Sequence, residues 1–190
     1  MIHGVLKATV VENPISTEFK DAIWINIPGP CNDNLLVGCI YRSRSPNKAV
    51  PQDPKLHAKM KHMASDAGYK QVMMIGDFNH PHILWTPEPI IQTISQNENH
   101  PDVKFVDLIH EAMLHQHVSE PTRERDNQTP TVDDLIFTTD PDIIEDLQHC
   151  SHIGASDHQC LQFTVNYSAC KSKPIQHTRL KYAKADFIKP

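Results

Sequence analysis

The sequence predicts a mixed α/β domain, a central sheet flanked by helices, on three observations. Short apolar, β-branched runs alternate early with segments of helical period, strand-like runs crowd together late, and fifteen prolines cut the 190 residues into short elements. A hydrophobic content of 39% against 22% charged residues is that of a soluble globular chain with enough length for one real core. No apolar stretch approaches the roughly 18 residues that a membrane span needs. The start, MIHGVLKATVVENP, lacks the charged head, apolar centre and cleavage site of a signal peptide, so an intracellular protein is expected.

The elements follow in order. AIWINI (22–27) and LLVGCIY (35–41) are apolar runs separated by PGPCNDN, a turn signal, and read as adjacent strands. Over residues 54–67, Leu56, Met60, Met63 and Ala67 keep a period near 3.6 and predict a helix closed by Gly68. QVMMIG (71–76) is apolar without alternation, which predicts a strand covered on both faces. Residues 102–116 place Phe105, Leu108, Ile109, Ala112 and Met113 on one face of a second helix. Three further strands are expected in QHVSE (116–120), VDDLIFT (132–138) and QCLQFTV (159–165).

Charge and cysteine content narrow the partners. A net charge of −5 and a pI near 6.2 argue against indiscriminate binding to polyanions. The last twenty residues, however, hold six Lys/Arg and a single acid, either as a solvated tail or as a segment that tracks phosphates or leads into another domain. Five cysteines (31, 39, 150, 160 and 170) in a chain without an export signal predict free thiols in a reducing compartment. The spacing of ten between Cys150, Cys160 and Cys170 matches no zinc motif.

Four polar segments stand at the ends of apolar runs: Tyr41-Arg42-Ser43, Gly76-Asp77-Phe78-Asn79, Asp133-Asp134 and Ser156-Asp157-His158. Each has an ordinary explanation alone; Asp77 and Asn79, for instance, suit an Asx turn that breaks the strand before Pro81. Together they supply what phosphodiester hydrolysis requires. That chemistry needs hard oxygen ligands for Mg²⁺, a carboxylate to orient or deprotonate water, an amide to hold that water, and an imidazole held by a second carboxylate. Arg42 and Arg44 beside Tyr41 are the candidates for phosphate or DNA contact. HEAMLHQH (110–117) is no zinc-protease helix, because His110 and His115 are five apart, about 140° around a helix axis. His80 and His82 read as exposed loop residues beside the site, and Trp85 as packing against the sheet.

In this order the segments LLVGCIYRSRSP, VMMIGDFNHPHILW, FVDLIHEAMLHQHVSEPTR, TPTVDDLIFTTD and GASDHQCLQFTV resemble the endonuclease/exonuclease/phosphatase (DNase I-like) domain at the front of non-LTR, LINE-type retrotransposon proteins. The resemblance runs from about residue 22 to the end. It implies a layered α/β sandwich of mixed sheets that lacks its first strands. It also implies that Asp77 positions or activates the attacking water, Asn79 bonds the water or phosphate, His158 contacts the scissile phosphate with its ring held by Asp134, and Tyr41 touches the phosphate. Asp157 would sit at or beside a Mg²⁺ (or Mn²⁺) ion.

Two departures qualify the resemblance. The family's early Asn and metal-binding Glu have no counterpart in the forty residues before Tyr41, where Glu12 and Glu18 end no apolar strand. Ala155 stands where a Lys is common. A truncated domain over 1–168 is therefore expected, with 169–190 as a basic linker toward a reverse transcriptase. The implied activity is nicking of DNA in the nucleus, weak or absent here. A phosphatase or phosphodiesterase acting on a small substrate, or a non-catalytic binding remnant, are the alternatives. Asp133 falls outside the implied site, since strand alternation points it away from Asp134.

Overall fold

The computed structural model describes residues 6–11, 19–66, 68–86, 89–92 and 98–171. The basic segment after Lys171, together with Glu12 and Glu18, lies outside the described residues. A six-stranded mixed sheet runs in the order β1 (Thr9–Val10), β2 (Ala22–Pro28), β3 (Asn34–Tyr41), β4 (Gln71–Asp77), β8 (Asp134–Thr138), β7 (His115–Gln116). β3 and β4 are parallel and the other neighbours antiparallel. Two small pairs complete the domain: β5 (Ile83–Leu84) with β6 (Ile90–Ile91), and the hairpin β9 (Ile144–Cys150) with β10 (Cys160–Val165). The mixed α/β expectation is met.

A parallel pair needs a long crossover, and α1 (Pro46–Ala64) provides it between β3 and β4. This helix begins eight residues before the expected 54. Pro46 presets the first turn, and the early turns are anchored by buried Ala49 and by Asp53, which is clamped to Arg42. These contacts hold a helix whose Pro51 and Pro54 each lack a backbone donor. It stops at Ala64 because the Ser65 hydroxyl bonds the carbonyls of Lys61 and His62 at 3.0 and 3.1 Å, leaving Gly68 beyond the end.

The second helix, α2 (Pro101–Glu111), buries Phe105, Leu108 and Ile109 as expected but ends five residues early. Met113 takes a φ of +50° and turns the chain. It is 78% exposed instead of on the core face, and His115 falls in a strand.

The β4 run is buried on both faces at Val72, Met73 and Met74 and opens at Ile75 and Gly76, toward the end that carries the polar residues. Met74, Phe78, Phe105 and Phe137 form the centre of the core, with Phe78 and Phe137 edge-to-face at 5.2 Å. Trp85 packs edge-on against Phe105 and Phe137. β9 escapes the sequence reading because it is bulged: Asp146 has φ +53° and the register slips between Gln162 and Thr164, so IEDLQHC never alternates cleanly.

Candidate active site

The polar strand ends meet because the ends of β3 and β4 and the start of β8 lie in register. Tyr41 on β3 is opposite Asp77 on β4, and Asp77 is opposite Asp134 on β8. Gly76 makes this approach possible. Its φ is +144°, and a Cβ there would overlap the Ile40 carbonyl oxygen. The chain entering β8 is fixed by Thr122, fully buried, whose hydroxyl oxygen accepts the backbone N–H groups of Asp133 and Asp134 at 3.1 and 2.9 Å.

The late segment arrives through Arg123, which bridges in β fashion to both Thr131 and His158. Flanking bonds run from Glu124 N–H to the Asp157 carbonyl (2.9 Å) and from Gln159 N–H to the Thr122 carbonyl (2.7 Å). His158 is thereby delivered to Asp134, with Nδ1 2.7 Å from Oδ2. Ligating atoms of Asp77, Asp134 and His158 all lie within 4.8 Å of one another, each residue half-buried. This is the one such cluster of metal-ligating side chains among the described residues.

The cluster carries more negative charge than it balances. Burial pushes the Asp77 carboxyl up to about 6, and the neighbouring Asp134 and Asp133 push the same way. His158 and the bond from Asn79 oppose the rise only in part. Crowded carboxylates of this kind accept a proton or a cation. Two carboxylate oxygens and an imidazole are donors for a divalent ion, with the oxygens suited to Mg²⁺ or Mn²⁺.

The remaining expected site residues are placed differently. Asn79 forms the Asx turn, donating its N–H to Asp77 Oδ1 at 3.1 Å from a φ of +49°. Its side chain is buried and donates from Nδ2 to the Arg42 carbonyl at 2.8 Å. Arg42 is no surface phosphate contact. It is buried, forked onto Asp53 at 2.7 and 2.8 Å, with Nη1 on the Asn79 carbonyl at 2.8 Å. Asp157 is not drawn into the cluster, because Arg123 and Arg125 hold its Oδ2 at 2.7 and 2.5 Å. Against desolvation, which raises it, these bonds bring its carboxyl down to about 2. Tyr41 is 52% exposed next to Asp77. Arg44 is exposed and lines a cleft of about 620 Å³ with Asn79, His82, His100 and Thr131.

His80 corrects an expectation outright. It is buried, bonded through Nδ1 to Asp102 at 2.7 Å and stacked on Phe105 with ring centroids 4.1 Å apart. The sequence reading also passed over Thr122 and Arg123, which hold the two halves of the site in register. A signal existed: acids at 133, 134 and 157 need a cation, and Arg123 and Arg125 are the only arginines between residues 105 and 157.

Fold and site together define a DNase I-like domain of the nuclease type. The chain belongs to the endonuclease–reverse transcriptase family, which matches residues 35–162. Among solved structures it is similar to the endonuclease domain of TRAS1, a telomere-specific non-LTR retrotransposon, with a TM-score of 0.54 at 15% identity over 85% of this chain and 68% of that one. It is also similar to the Xenopus laevis APE2 catalytic domain, with a TM-score of 0.49 at 14% identity over 80% of this chain and 57% of that one. No curated protein sequence matches. Among the described residues no helix is long and apolar enough to cross a membrane.

Proposed function

We propose that the domain is a divalent-cation-dependent DNA endonuclease of the retrotransposon kind, one that holds its cation weakly and nicks slowly. The convergence of Asp77, Asp134 and His158 within 4.8 Å supports this reading. A bound Mg²⁺ or Mn²⁺ would supply Lewis acidity and screen the phosphate charge. Asp77 and Asp134 are the side chains to hold it.

The protein's own groups divide the remaining work. Asp77 orients the attacking water and takes its proton. Asn79 fixes Asp77 through the turn bond and offers its side-chain oxygen to the same water. Asp134 holds His158 by Nδ1, so that Nε2 faces a phosphate oxygen and stabilises the charge that develops there. Tyr41 reaches the phosphate from the exposed side, and Arg44 is the group for the DNA backbone.

Weak binding follows from the donor set. Mg²⁺ dehydrates reluctantly and needs several well-placed oxygens. Among the described residues no third carboxylate joins the cluster, and Asp157 is committed to arginines. In the full element the natural partners are a reverse transcriptase and nuclear target DNA, with residues 169–190 as the linker from this domain toward the reverse transcriptase.

Supercoiled plasmid tests the reading. Slow nicking in millimolar Mn²⁺, abolished by EDTA and by Asp77→Ala, is the expected result. Cleavage that survives both Asp77→Ala and His158→Ala, or no cleavage at any metal concentration, overturns the assignment; fast cleavage in low Mg²⁺ overturns the weak-site part alone.

A further inference from the structure

We propose that Cys150 and Cys160 are a reversible thiol–disulfide pair that closes the loop carrying Asp157 and His158. The two residues share no motif in sequence, but the β9–β10 hairpin sets them directly opposite one another as the first pair at the mouth of that loop. Opposed residues in an antiparallel pair have Cα atoms about 4.5 or 5.5 Å apart, depending on whether ladder bonds join them. Both values fall in the range of about 4.4–6.8 Å that a disulfide spans. Opposed side chains also project from the same face of the pair. Here that face is the outer one, since Gln148 and Gln162, the next pair on it, are exposed.

The thiols are free and reachable. Both are partly exposed, and Cys150 borders an open surface hollow of about 460 Å³ together with His149, Ser151 and His152. Cys39 lies opposite Ile23 on one side and Ile75 on the other, Cys31 sits on a surface turn after β2, and Cys170 follows β10.

Oxidation by a small disulfide of the glutathione class balances simply. One cysteine thiolate attacks the reagent's S–S bond, forming a mixed disulfide and releasing one thiol. The second cysteine thiolate attacks the protein sulfur of that mixed disulfide and releases the second thiol. Two protein thiols lose two electrons, the reagent gains them, and the two protons pass to the released thiols. The consequence is local. The far end of the loop is already tied by the backbone bonds of Asp157 and Gln159 to the 122–124 segment, while residues 151–156 are exposed. A bridge at 150–160 fixes the near end as well.

The full chain is equilibrated against mixtures of reduced and oxidised glutathione, quenched by alkylation and mapped by peptide mass. A cross-link joining the Cys150 and Cys160 peptides, two hydrogens lighter than the dithiol, is expected while Cys31, Cys39 and Cys170 are recovered alkylated. Amide exchange over 151–159 should slow in the oxidised form. Glutathionylated or alkylated Cys150 and Cys160 without a cross-link at any ratio overturns the pair, as do cross-links scattered over all five cysteines. Unchanged exchange overturns the loop closure. None of these readouts depends on nuclease activity.

Discussion

Two polar clusters adjoin the turn after β4, and they are built in opposite ways. In the first, Arg42 is forked onto Asp53 and His80 is bonded to Asp102, all four residues buried and each paired with another of the four. In the second, Asp77, Asp134 and His158 are half-buried, and two carboxylates share one imidazole. Asn79 joins the two, its carbonyl accepting from Arg42 and its N–H donating to Asp77. The balanced cluster acts as frame and the unbalanced one as site. A residue's type does not decide between them, because Asp–Arg and Asp–His pairs occur in both the frame and the loops around the site. What decides is whether a group's partner is supplied and buried within the protein or left for something outside it.

The largest effect is expected from breaking the frame. Asp53→Ala leaves the Arg42 guanidinium buried without its carboxylate, a loss of about 3–5 kcal/mol, read as a lowered urea midpoint. A loss under about 1 kcal/mol, the value of a surface pair, would mean that the clamp is dispensable and the contrast with the site false.

The site should respond in the opposite direction. Asp77 titrates near 6 in the folded chain, above its unfolded value of about 3.9. The stability this group contributes is therefore complete below about pH 4 and is lost as pH rises through 6. Without metal, Asp77→Asn should raise the melting temperature at pH 7.5 by about 2–4 °C and leave it unchanged at pH 3.5. The same substitution should weaken Mn²⁺ binding, trading function for stability. A metal-free wild type that melts above the variant at pH 7.5 contradicts the charge imbalance.

How far the sequence showed this contrast depends on which interactions are local. The apolar runs of β2, β3, β4 and α2, and the polar YRS and GDFN segments at the ends of two of them, follow from pattern and turn chemistry, and the fold was legible there. His80 and Arg42 were misread because the partners that bury them, Asp102 and Asp53, lie 22 and 11 residues away, and nothing in a local window marks a long-range ion pair. The ion pairs of Asp157 were hidden for the same reason, since its arginines are 34 and 32 residues distant. β9 was missed because its bulge at Asp146 destroys the period of two on which strand recognition rests.

Acid titration sharpens the comparison within one pH window. Burial holds His57, packed near Phe105 and Asp53, down at about 4, below its ordinary 6.5. Asp53 opposes this shift, whereas His80, Arg42 and Lys104 add to it. His80 is lowered too, again mainly by burial. A histidine with a depressed folded value must charge as pH falls, so its contribution is lost from 6.5 downward until the folded value is reached. Between pH 6 and 4 the frame should therefore lose stability while Asp77 regains it. His57→Phe should flatten the fall of melting temperature on acidification, and Asp77→Asn should steepen it. Parallel slopes for the two variants would remove the distinction.

The smallest effect tests whether exposure or mere contact makes a pair part of the frame. Arg123 and Arg125 both bond Asp157 Oδ2, yet the Arg123 side chain is 9% exposed and that of Arg125 51%. Arg123 also reaches the fully buried Asp133 at 3.5 Å, so its removal leaves that acid without its cation. Arg125 can be replaced by water at no such penalty. Arg125→Ala should cost no more than about 1 kcal/mol, and that cost should fade in high salt. Arg123→Met should cost several times as much and keep its effect in salt, because a buried pair is poorly screened. Equal losses from the two variants would show that the shorter bond to Asp157, not the burial of Asp133, organises the approach of His158 to Asp134. The boundary between frame and site would then have to be redrawn around Asp157.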